Sequence, residues 1–159
     1  MIDSLAMNKM NKLHWHLIDA QSFPFDSPSE PDMVKGAFTS RNKQLIYTTD
    51  DLKSLTEYAR MRGIEIIFEV DVPGHAASWN AGKPEISACE GMYTNINNFA
   101  LNPTLDVTYE TLHNILGDIV EATGATTLHL GGDEVVYGCW RKNQEIVDWM
   151  AAQGWTDYN

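Results

Sequence analysis

Apolar residues recur along the chain with two alternating spacings, which predict an alternation of helices and strands. Four segments place apolar residues three and four positions apart, as amphipathic helices do, and three are compact apolar runs bounded by turn residues, as strands are. The predicted helices are MIDSLAMNKMNK, TTDDLKSLTEYARMRG, LDVTYETLHNILGDIVEATG and NQEIVDWMAAQG, and the predicted strands are KLHWHLID, IEIIFEVDVPGH and TTLHLGGDE. The predicted order is helix, strand, helix, strand, helix, strand, helix.

The connections between these elements indicate parallel βα units. Long connections follow the strands, whereas the joints from helix to strand are short, as in parallel α/β folds. A doubly wound sheet and a (β/α)₈ barrel both fit, and both place ligands beyond the carboxyl ends of the strands. A barrel has eight such units and about 250 residues, so we expect residues 1–159 to form part of one, with an initial helix cut from a longer element.

Composition and charge narrow the classes of ligand. The chain has 159 residues, 43% of them hydrophobic and 21% charged, as in soluble globular proteins. A net charge of -11 repels phosphate groups, which argues against binding to nucleic acids or to anionic membrane surfaces. No apolar run approaches the roughly 20 residues of a membrane span. A neutral ligand is therefore favoured, with neither nucleic acid nor membrane insertion expected.

Acidic residues and histidines gather at the ends of the three predicted strands. Any one of them could be a turn former, a helix cap or a core histidine, but their joint position at the ligand-binding edge indicates a site. They are His14, His16, Asp19, Asp71, His75, His129, Asp133 and Glu134. Trp79 and Trp140 lie near the same end, where aromatic rings could stack on a sugar.

Glu134 is the strongest candidate for a general acid. Gly131 and Gly132 precede the acidic pair and permit a bent strand end, so that Asp133 and Glu134 could serve one pocket although neighbours on a regular strand face opposite ways. A glutamate in a partly apolar pocket can have a pKa high enough for acid catalysis. The alternative interpretation is that Glu134 caps a helix beginning at VVYG.

A metal site is the main chemical alternative. His14 and His16 would project from the same face of the first strand, as paired ligands do in metal-dependent barrels. No third histidine or lysine is expected at a matching position of LHLGGDE, so we expect no metal and no other cofactor. The two cysteines, Cys89 and Cys139, form no CxxC pair, and either buried thiols or one disulfide would fit.

Four segments resemble consecutive blocks of the β-N-acetylhexosaminidases of glycoside hydrolase family 20, especially the animal lysosomal type. They are NKLHWHLIDAQSFPF, EYARMRGIEIIFEVDVPGHAASW, LNPT and LHLGGDEVVYGCW, and the similarity covers essentially the whole chain. The resemblance implies an α/β fold, a partial (β/α)₈ TIM barrel. Residues 1–159 would be a segment of a single catalytic domain and contain about strands 2 to 4 with their flanking helices.

The resemblance also implies roles for individual residues. Glu134 would be the general acid and base, and Asp133 would orient and stabilise the substrate's acetamido group. Asp19 and His75 would support Glu134, with Asp71 assisting His75, and Asp19 would join Asp133 and Glu134 in contacting substrate. Cys89 and Cys139 would form a disulfide. The family is an exception to the two-carboxylate scheme, because the substrate's own acetamido group is the nucleophile.

The implied activity is hydrolysis of terminal β-linked N-acetylglucosamine or N-acetylgalactosamine from glycoconjugates and chitooligosaccharides. We expect a lysosomal or secreted enzyme whose full-length form is a dimer. The family's sugar-binding arginine and several aromatic residues lie on strands outside this sequence, so we expect the 159-residue chain alone to be inactive. A carbohydrate-binding relic without turnover and a metal-dependent TIM-barrel hydrolase stay as alternatives.

Overall fold

The computed structural model describes residues 1–89, 91 and 94–158. It contains four α-helices, five β-strands and several short 3₁₀ turns within these residues. In chain order the elements are α1 (Ile2–Met7), β1 (Lys12–Ile18), β2 (Thr39–Ser40), β3 (Lys43–Gln44), α2 (Thr49–Arg60), β4 (Glu65–Val70), α3 (Asp106–Thr123), β5 (Leu128–His129) and α4 (Gln144–Ala152). Each of the seven predicted elements is present with the predicted type.

The main sheet is parallel, as the connection lengths predicted. Its strand order is β1-β4-β5, with α2 and α3 in the two crossovers. A two-stranded antiparallel hairpin, β2-β3, lies in the first long connection and was not predicted, because each of its strands has only two residues. The third strand of the sheet is also shorter than its apolar run, since the chain bends away after His129.

Local sequence explains why α2 and α3 begin and end where they do. The Thr48 side chain accepts a hydrogen bond from the backbone of Asp51, whose own carboxylate accepts one from the Thr48 backbone, so a capping box begins α2. Leu52 and Ala59 then form its buried face. Helix α3 ends at Gly124, whose backbone is left-handed, as in a common helix C-cap. These helices pack against each other over the sheet.

The two faces of the sheet differ in polarity. Leu13 and Trp15 of β1 and Phe68 of β4 contribute to one hydrophobic core. His14 and His16 alternate with them and therefore lie on the opposite face. The polar groups of the strands are thus concentrated on one face and continue into the carboxyl edge. Among the helices of the described residues, none combines the length and hydrophobicity needed to cross a membrane.

Candidate active site

The end of β1 positions Asp19 between two histidines. The register of β1 against β4 shifts between His16 and Ile18, so the strand end is irregular. Asp19 Oδ1 lies 3.1 Å from His75 Nδ1 and accepts a 2.6 Å hydrogen bond from the Ala20 backbone. Its Oδ2 lies 3.2 Å from His16 Nε2. Both carboxylate oxygens of Asp19 are therefore engaged.

Asp71 is the first residue after β4 and is almost completely buried, at 1% exposure. Its Oδ1 accepts a 2.7 Å hydrogen bond from the Gly132 backbone, and its Oδ2 has no hydrogen-bond partner among the described residues. Burial raises the pKa of Asp71, and the nearby carboxylate of Asp133 raises it further, against the opposing effects of the Gly132 N–H and His75. Asp71 thus joins the second strand end to the third.

His75 lies at the centre of the cluster, in a left-handed backbone conformation with φ +50°. While Nδ1 faces Asp19, Nε2 lies 3.5 Å from Glu134 Oε2 and 3.8 Å from Asp133 Oδ2. Partial burial lowers the pKa of His75, but the hydrogen bond to Asp19 and the charges of Asp71, Asp19 and Asp133 outweigh it, so the pKa is raised above its ordinary value. His75 is thus suited to carry a positive charge among carboxylates.

A bend after β5 explains how two adjacent acids can face one histidine. Gly131 and Gly132 have φ values of +64° and +110°, and Glu134 itself has a φ of +51°. A regular strand would separate the side chains of Asp133 and Glu134, but this backbone brings both within 4 Å of His75 Nε2. The predicted bent strand end is confirmed. No helix begins within residues 135–143, all of which the structure describes, so the helix-cap interpretation of Glu134 is wrong.

The two acids of the pair are exposed and electrostatically different. The side chains of Asp133 and Glu134 are 67% and 79% exposed. The pKa of Asp133 is lowered by a hydrogen bond from its own backbone N–H, by its interaction with the Asp71 carboxyl and by the charges of His75 and His16. Asp133 is therefore favoured as an anion.

Glu69 connects this site to the sheet and was missed by the sequence analysis. It is 6% exposed, and its Oε1 lies 2.9 Å from His16 Nδ1. Its Oε2 is hydrogen-bonded to His14 Nε2 and lies 3.6 Å from His129 Nδ1. One signal could have identified it: Glu69 interrupts an apolar strand two positions before Asp71, and residues two apart share a face.

The same residues decide how well a metal would fit. The potential ligand atoms of His14, Glu69 and His129 lie within 4.8 Å of one another, so β5 does bring a third histidine, contrary to expectation. However, both oxygens of Glu69 already contact histidines, and His129 Nδ1 accepts a 3.0 Å hydrogen bond from the Gly131 backbone. A metal would have to displace these bonds, which makes the cluster a poor fit for one.

Neither of the two tryptophans near the strand ends presents a free ring face. Trp79 is completely buried, with its ring 5.4 Å from that of Phe23, and is a core residue. Trp140 is half-buried and donates a 2.9 Å hydrogen bond through Nε1 to the carbonyl of Leu101.

The disulfide that the family resemblance implied is present. Cys89 and Cys139 are joined across 50 positions of sequence, and both are buried. The bond ties the loop after β4 to the segment that follows the acidic pair. It therefore limits how far that segment can move from the second strand end.

The chain is similar to known sequences over essentially its whole length. The family model described as "Glycosyl hydrolase family 20, catalytic domain" matches residues 1–159. "Beta-hexosaminidase subunit A1" of Dictyostelium discoideum is 40% identical over 157 residues, covering 98% of this chain and 29% of that protein. "Beta-hexosaminidase subunit beta" of Homo sapiens is 39% identical over 161 residues, covering 99% of this chain and 28% of that protein. The chain thus spans less than a third of the length of these relatives.

Solved structures give the same result. The chitobiase of Flavobacterium johnsoniae superposes with a TM-score of 0.84 at 29% identity, covering 98% of this chain and 24% of the other. An exo-β-N-acetylglucosaminidase of Vibrio harveyi in complex with N-acetylglucosamine gives a TM-score of 0.84 at 30% identity, covering 99% of this chain and 28% of the other. The parallel sheet with its flanking helices is therefore similar to part of these larger enzymes.

Proposed function

The chain belongs to glycosyl hydrolase family 20, and we propose that it carries the acid-base residues of a retaining β-N-acetylhexosaminidase. The observation that supports this most is the position of His75 Nε2, which lies within 4 Å of both Asp133 and Glu134. A histidine facing two adjacent carboxylates, of which Asp133 is favoured as an anion by its lowered pKa, separates their roles. Glu134 is the proton donor, and Asp133 is the fixed negative charge.

We further propose that residues 1–159 are a segment of one catalytic domain and form about strands 2 to 4 of a (β/α)₈ barrel. The parallel order β1-β4-β5, with helices in both crossovers, supports this arrangement. So does the polar face of the sheet, because a barrel would enclose that face and bring its carboxyl edge to the mouth where active sites lie. The remaining walls of the substrate pocket would then come from other strands.

Cleavage begins with proton transfer from Glu134. Its carboxyl proton passes to the glycosidic oxygen as the bond from that oxygen to the anomeric carbon breaks, and the aglycone leaves as a neutral alcohol. Glu134 becomes a carboxylate 3.5 Å from His75 Nε2. The raised pKa of His75 favours a protonated ring, which stabilises this new negative charge.

The nucleophile is supplied by the substrate. In the usual retaining scheme a second carboxylate attacks from the face opposite the acid, at about 5 to 5.5 Å from it. Asp133 and Glu134 are adjacent and face the same histidine, so Asp133 is poorly placed for that attack. Instead the carbonyl oxygen of the 2-acetamido group bonds to the anomeric carbon and forms an oxazolinium ion. Asp133 accepts a hydrogen bond from its N–H and balances its positive charge.

Hydrolysis of this intermediate restores the enzyme. Glu134, now a carboxylate, takes a proton from a water molecule as the water oxygen attacks the anomeric carbon. The bond to the acetamido oxygen breaks, and the configuration at the anomeric carbon is retained. Asp19 and Asp71 support this cycle from behind, since Asp19 orients His75 and Asp71 holds the Gly132 backbone next to Asp133.

The substrate would be a terminal β-linked N-acetylglucosamine or N-acetylgalactosamine of a glycoconjugate or chitooligosaccharide. The N-acetylglucosamine complex of the Vibrio harveyi enzyme supports this class. The disulfide fits an oxidising compartment, so we propose a lysosomal or secreted location. Dimerisation of the full-length protein stays a prediction.

The decisive experiment replaces Glu134 in the full-length protein. Glu134→Gln should lower kcat for an aryl N-acetyl-β-glucosaminide about 10³-fold, since acid-base groups contribute about 10² to 10⁴. The matched control is Glu121→Gln, which makes the same change at an exposed position of α3 and should leave kcat unaltered. Near-normal turnover by Glu134→Gln contradicts the acid assignment.

Two further measurements separate the alternatives. The aryl β-glucoside, which lacks the acetamido group, should not be hydrolysed if that group is the nucleophile, and a chelator should leave the activity of the wild-type protein intact. Activity that a chelator removes and zinc restores would favour the metal-dependent hydrolase. Binding of N-acetylglucosamine without any turnover would favour the relic. We expect no hydrolysis by the 159-residue chain alone.

A further inference from the structure

Carboxylates and imidazoles alternate in an unbroken line from the middle of the sheet to the proposed acid. Glu69 Oε1 lies 2.9 Å from His16 Nδ1, and His16 Nε2 lies 3.2 Å from Asp19 Oδ2. Asp19 Oδ1 lies 3.1 Å from His75 Nδ1, and His75 Nε2 lies 3.5 Å from Glu134 Oε2. The three intermediate residues, His16, Asp19 and His75, each contact one neighbour through one side-chain nitrogen or oxygen and the next neighbour through the other.

The line begins at Glu69, whose carboxylate is buried in the sheet. Glu69 and His16 are directly opposite each other in the parallel pairing of β4 and β1. A buried carboxylate is costly unless it is paired and hydrogen-bonded, and Glu69 meets this need through His16 and His14. The His16 ring is therefore held by a group that cannot reorient freely.

An irregularity in β1 lets His16 reach Asp19. Side chains three positions apart on a regular strand point to opposite faces. The register shift between His16 and Ile18 removes this constraint, as β-bulges do when they redirect a side chain. Asp19 consequently contacts its own strand's histidine through one oxygen and His75 through the other.

We propose that His16, anchored by Glu69, is a positioning residue for acid catalysis by Glu134 and acts through Asp19 and His75. This inference rests on the proposed function of Glu134. Both ring nitrogens of His16 face carboxylate oxygens, Nδ1 that of Glu69 and Nε2 that of Asp19, so the ring fixes Asp19 through the oxygen that does not face His75. Without it, Asp19 keeps the Ala20 backbone N–H and the Gln21 side-chain amide, whose nitrogen lies 3.3 Å from both carboxylate oxygens in the orientation that satisfies it, and the orientation of His75 loosens.

The charged groups around His75 determine how a change in its position affects Glu134. Asp19, Asp71, Asp133 and Glu134 face it from the ends of all three strands, and His16 lies behind Asp19. A loosened His75 ring stabilises the Glu134 carboxylate less well as the proton leaves. The loss should therefore be greatest when the leaving group depends most on protonation.

The test compares two variants on two substrates, in the full-length protein. His16→Phe keeps a ring but removes both hydrogen bonds. His14→Phe is the matched control, because His14 lies on the same face of β1 and contacts the same Glu69, and no contact between it and Asp19 is found in the described residues. The substrates are N,N′-diacetylchitobiose, whose leaving group is a basic sugar alcohol, and an aryl N-acetyl-β-glucosaminide, whose leaving group is a weakly basic phenol.

We expect His16→Phe to lower kcat/KM about 100-fold for the disaccharide and less than about 10-fold for the aryl substrate. His14→Phe should lower both by the same small factor. Equal losses on the two substrates for His16→Phe would show a merely structural role and overturn the proposal. If His14→Phe also lowered kcat/KM much more for the disaccharide than for the aryl substrate, the proposal would be overturned too, since the effect would then belong to Glu69 alone.

A second variant covers the case in which His16→Phe does not fold. His16→Gln keeps one donor and should give an intermediate ratio between the two substrates, and a ratio equal to that of the wild type overturns the proposal. Failure of the proposed function itself is distinguishable, because the wild-type protein would then hydrolyse neither substrate.

Discussion

The acidic segment, residues 131–135, and the supporting cluster, formed by His16, Asp19, Glu69, Asp71 and His75, meet at the same edge of the sheet but are built differently. In the supporting cluster, Glu69 and Asp71 are buried and bonded across strands. In the acidic segment, the side chains of Asp133 and Glu134 are 67% and 79% exposed. The groups proposed to touch substrate are thus held from one side only.

This difference indicates that the two regions have different roles. The supporting cluster derives its geometry from two well-paired strands, so its imidazoles and carboxylates are preorganised before any ligand arrives. The acidic segment follows a two-residue strand and takes its shape from left-handed backbone, the Asp71 contact and the disulfide. Variants that act on the junction between the regions should therefore reveal how much the second depends on the first.

The largest effect is expected where the acidic segment crosses Asp71. A side chain at Gly131 would collide with the Asp71 carboxylate, with its Cβ only 2.8 Å from Asp71 Cβ, and Gly131 has a φ of +64°. Gly131→Ala should destabilise the protein by roughly 3 kcal/mol, which combines about 1 to 2 for left-handed backbone and about 1 to 3 for overpacking. Urea unfolding of the full-length protein measures this, and hydrolytic activity should fall with it.

Gly124→Ala separates the cost of left-handed backbone from the cost of overpacking. Gly124 has nearly the same φ, +66°, but apart from its chain neighbours no atom of the described residues lies within 4 Å of a Cβ placed there. This control should lower the free energy of unfolding only by the cost of left-handed backbone, about 1 to 2 kcal/mol, and should leave activity unaltered. If the two variants prove equally unstable and equally active, Asp71 does not support the acidic segment.

These junction residues also show how far sequence can predict such a site. The order of elements, the parallel sheet and the strand-end location of Asp19, His75 and Glu134 followed from periodicity and connection lengths, because each depends on local sequence. Glu69 was missed, since an acid in an apolar strand gains its partners only when β1 pairs with β4 in one register. The surroundings of Trp79 could not be predicted for a similar reason: whether an aromatic ring faces the pocket or the core depends on long-range packing.

A second, smaller effect should appear in the pH dependence of stability. The pKa of His75 is raised above the ordinary 6.5, so its contribution to stability is fully present below about pH 6.5 and is lost as the pH rises through the raised value. The difference in unfolding free energy between wild type and His75→Gln should therefore be larger at about pH 6 than at about pH 9. Urea denaturation at both pH values measures it.

His113→Gln is the control for this comparison, because it removes an exposed histidine of α3. Its effect on unfolding free energy at the two pH values gives the baseline for an exposed histidine. A His75→Gln effect that changes with pH no more than this baseline would mean that the carboxylates of the two regions do not act on His75 together.

The smallest effect is expected at Gly74, where the two regions touch through their backbones. A Cβ at Gly74 would lie 3.3 Å from the Asp133 carbonyl oxygen and 3.7 Å from that of Glu134. Gly74→Ala should push the acidic segment away by a few tenths of an ångström, and since about 1 Å of misplacement costs about 100-fold, kcat should fall about fourfold. Gly117→Ala lies within α3, where outside the helix's own turn no atom of the residues that the structure describes is within 4 Å of the new Cβ, and should instead raise stability by about 0.5 to 1 kcal/mol without changing kcat. An unaltered kcat in Gly74→Ala would show that substrate, rather than the supporting cluster, sets the final position of Glu134.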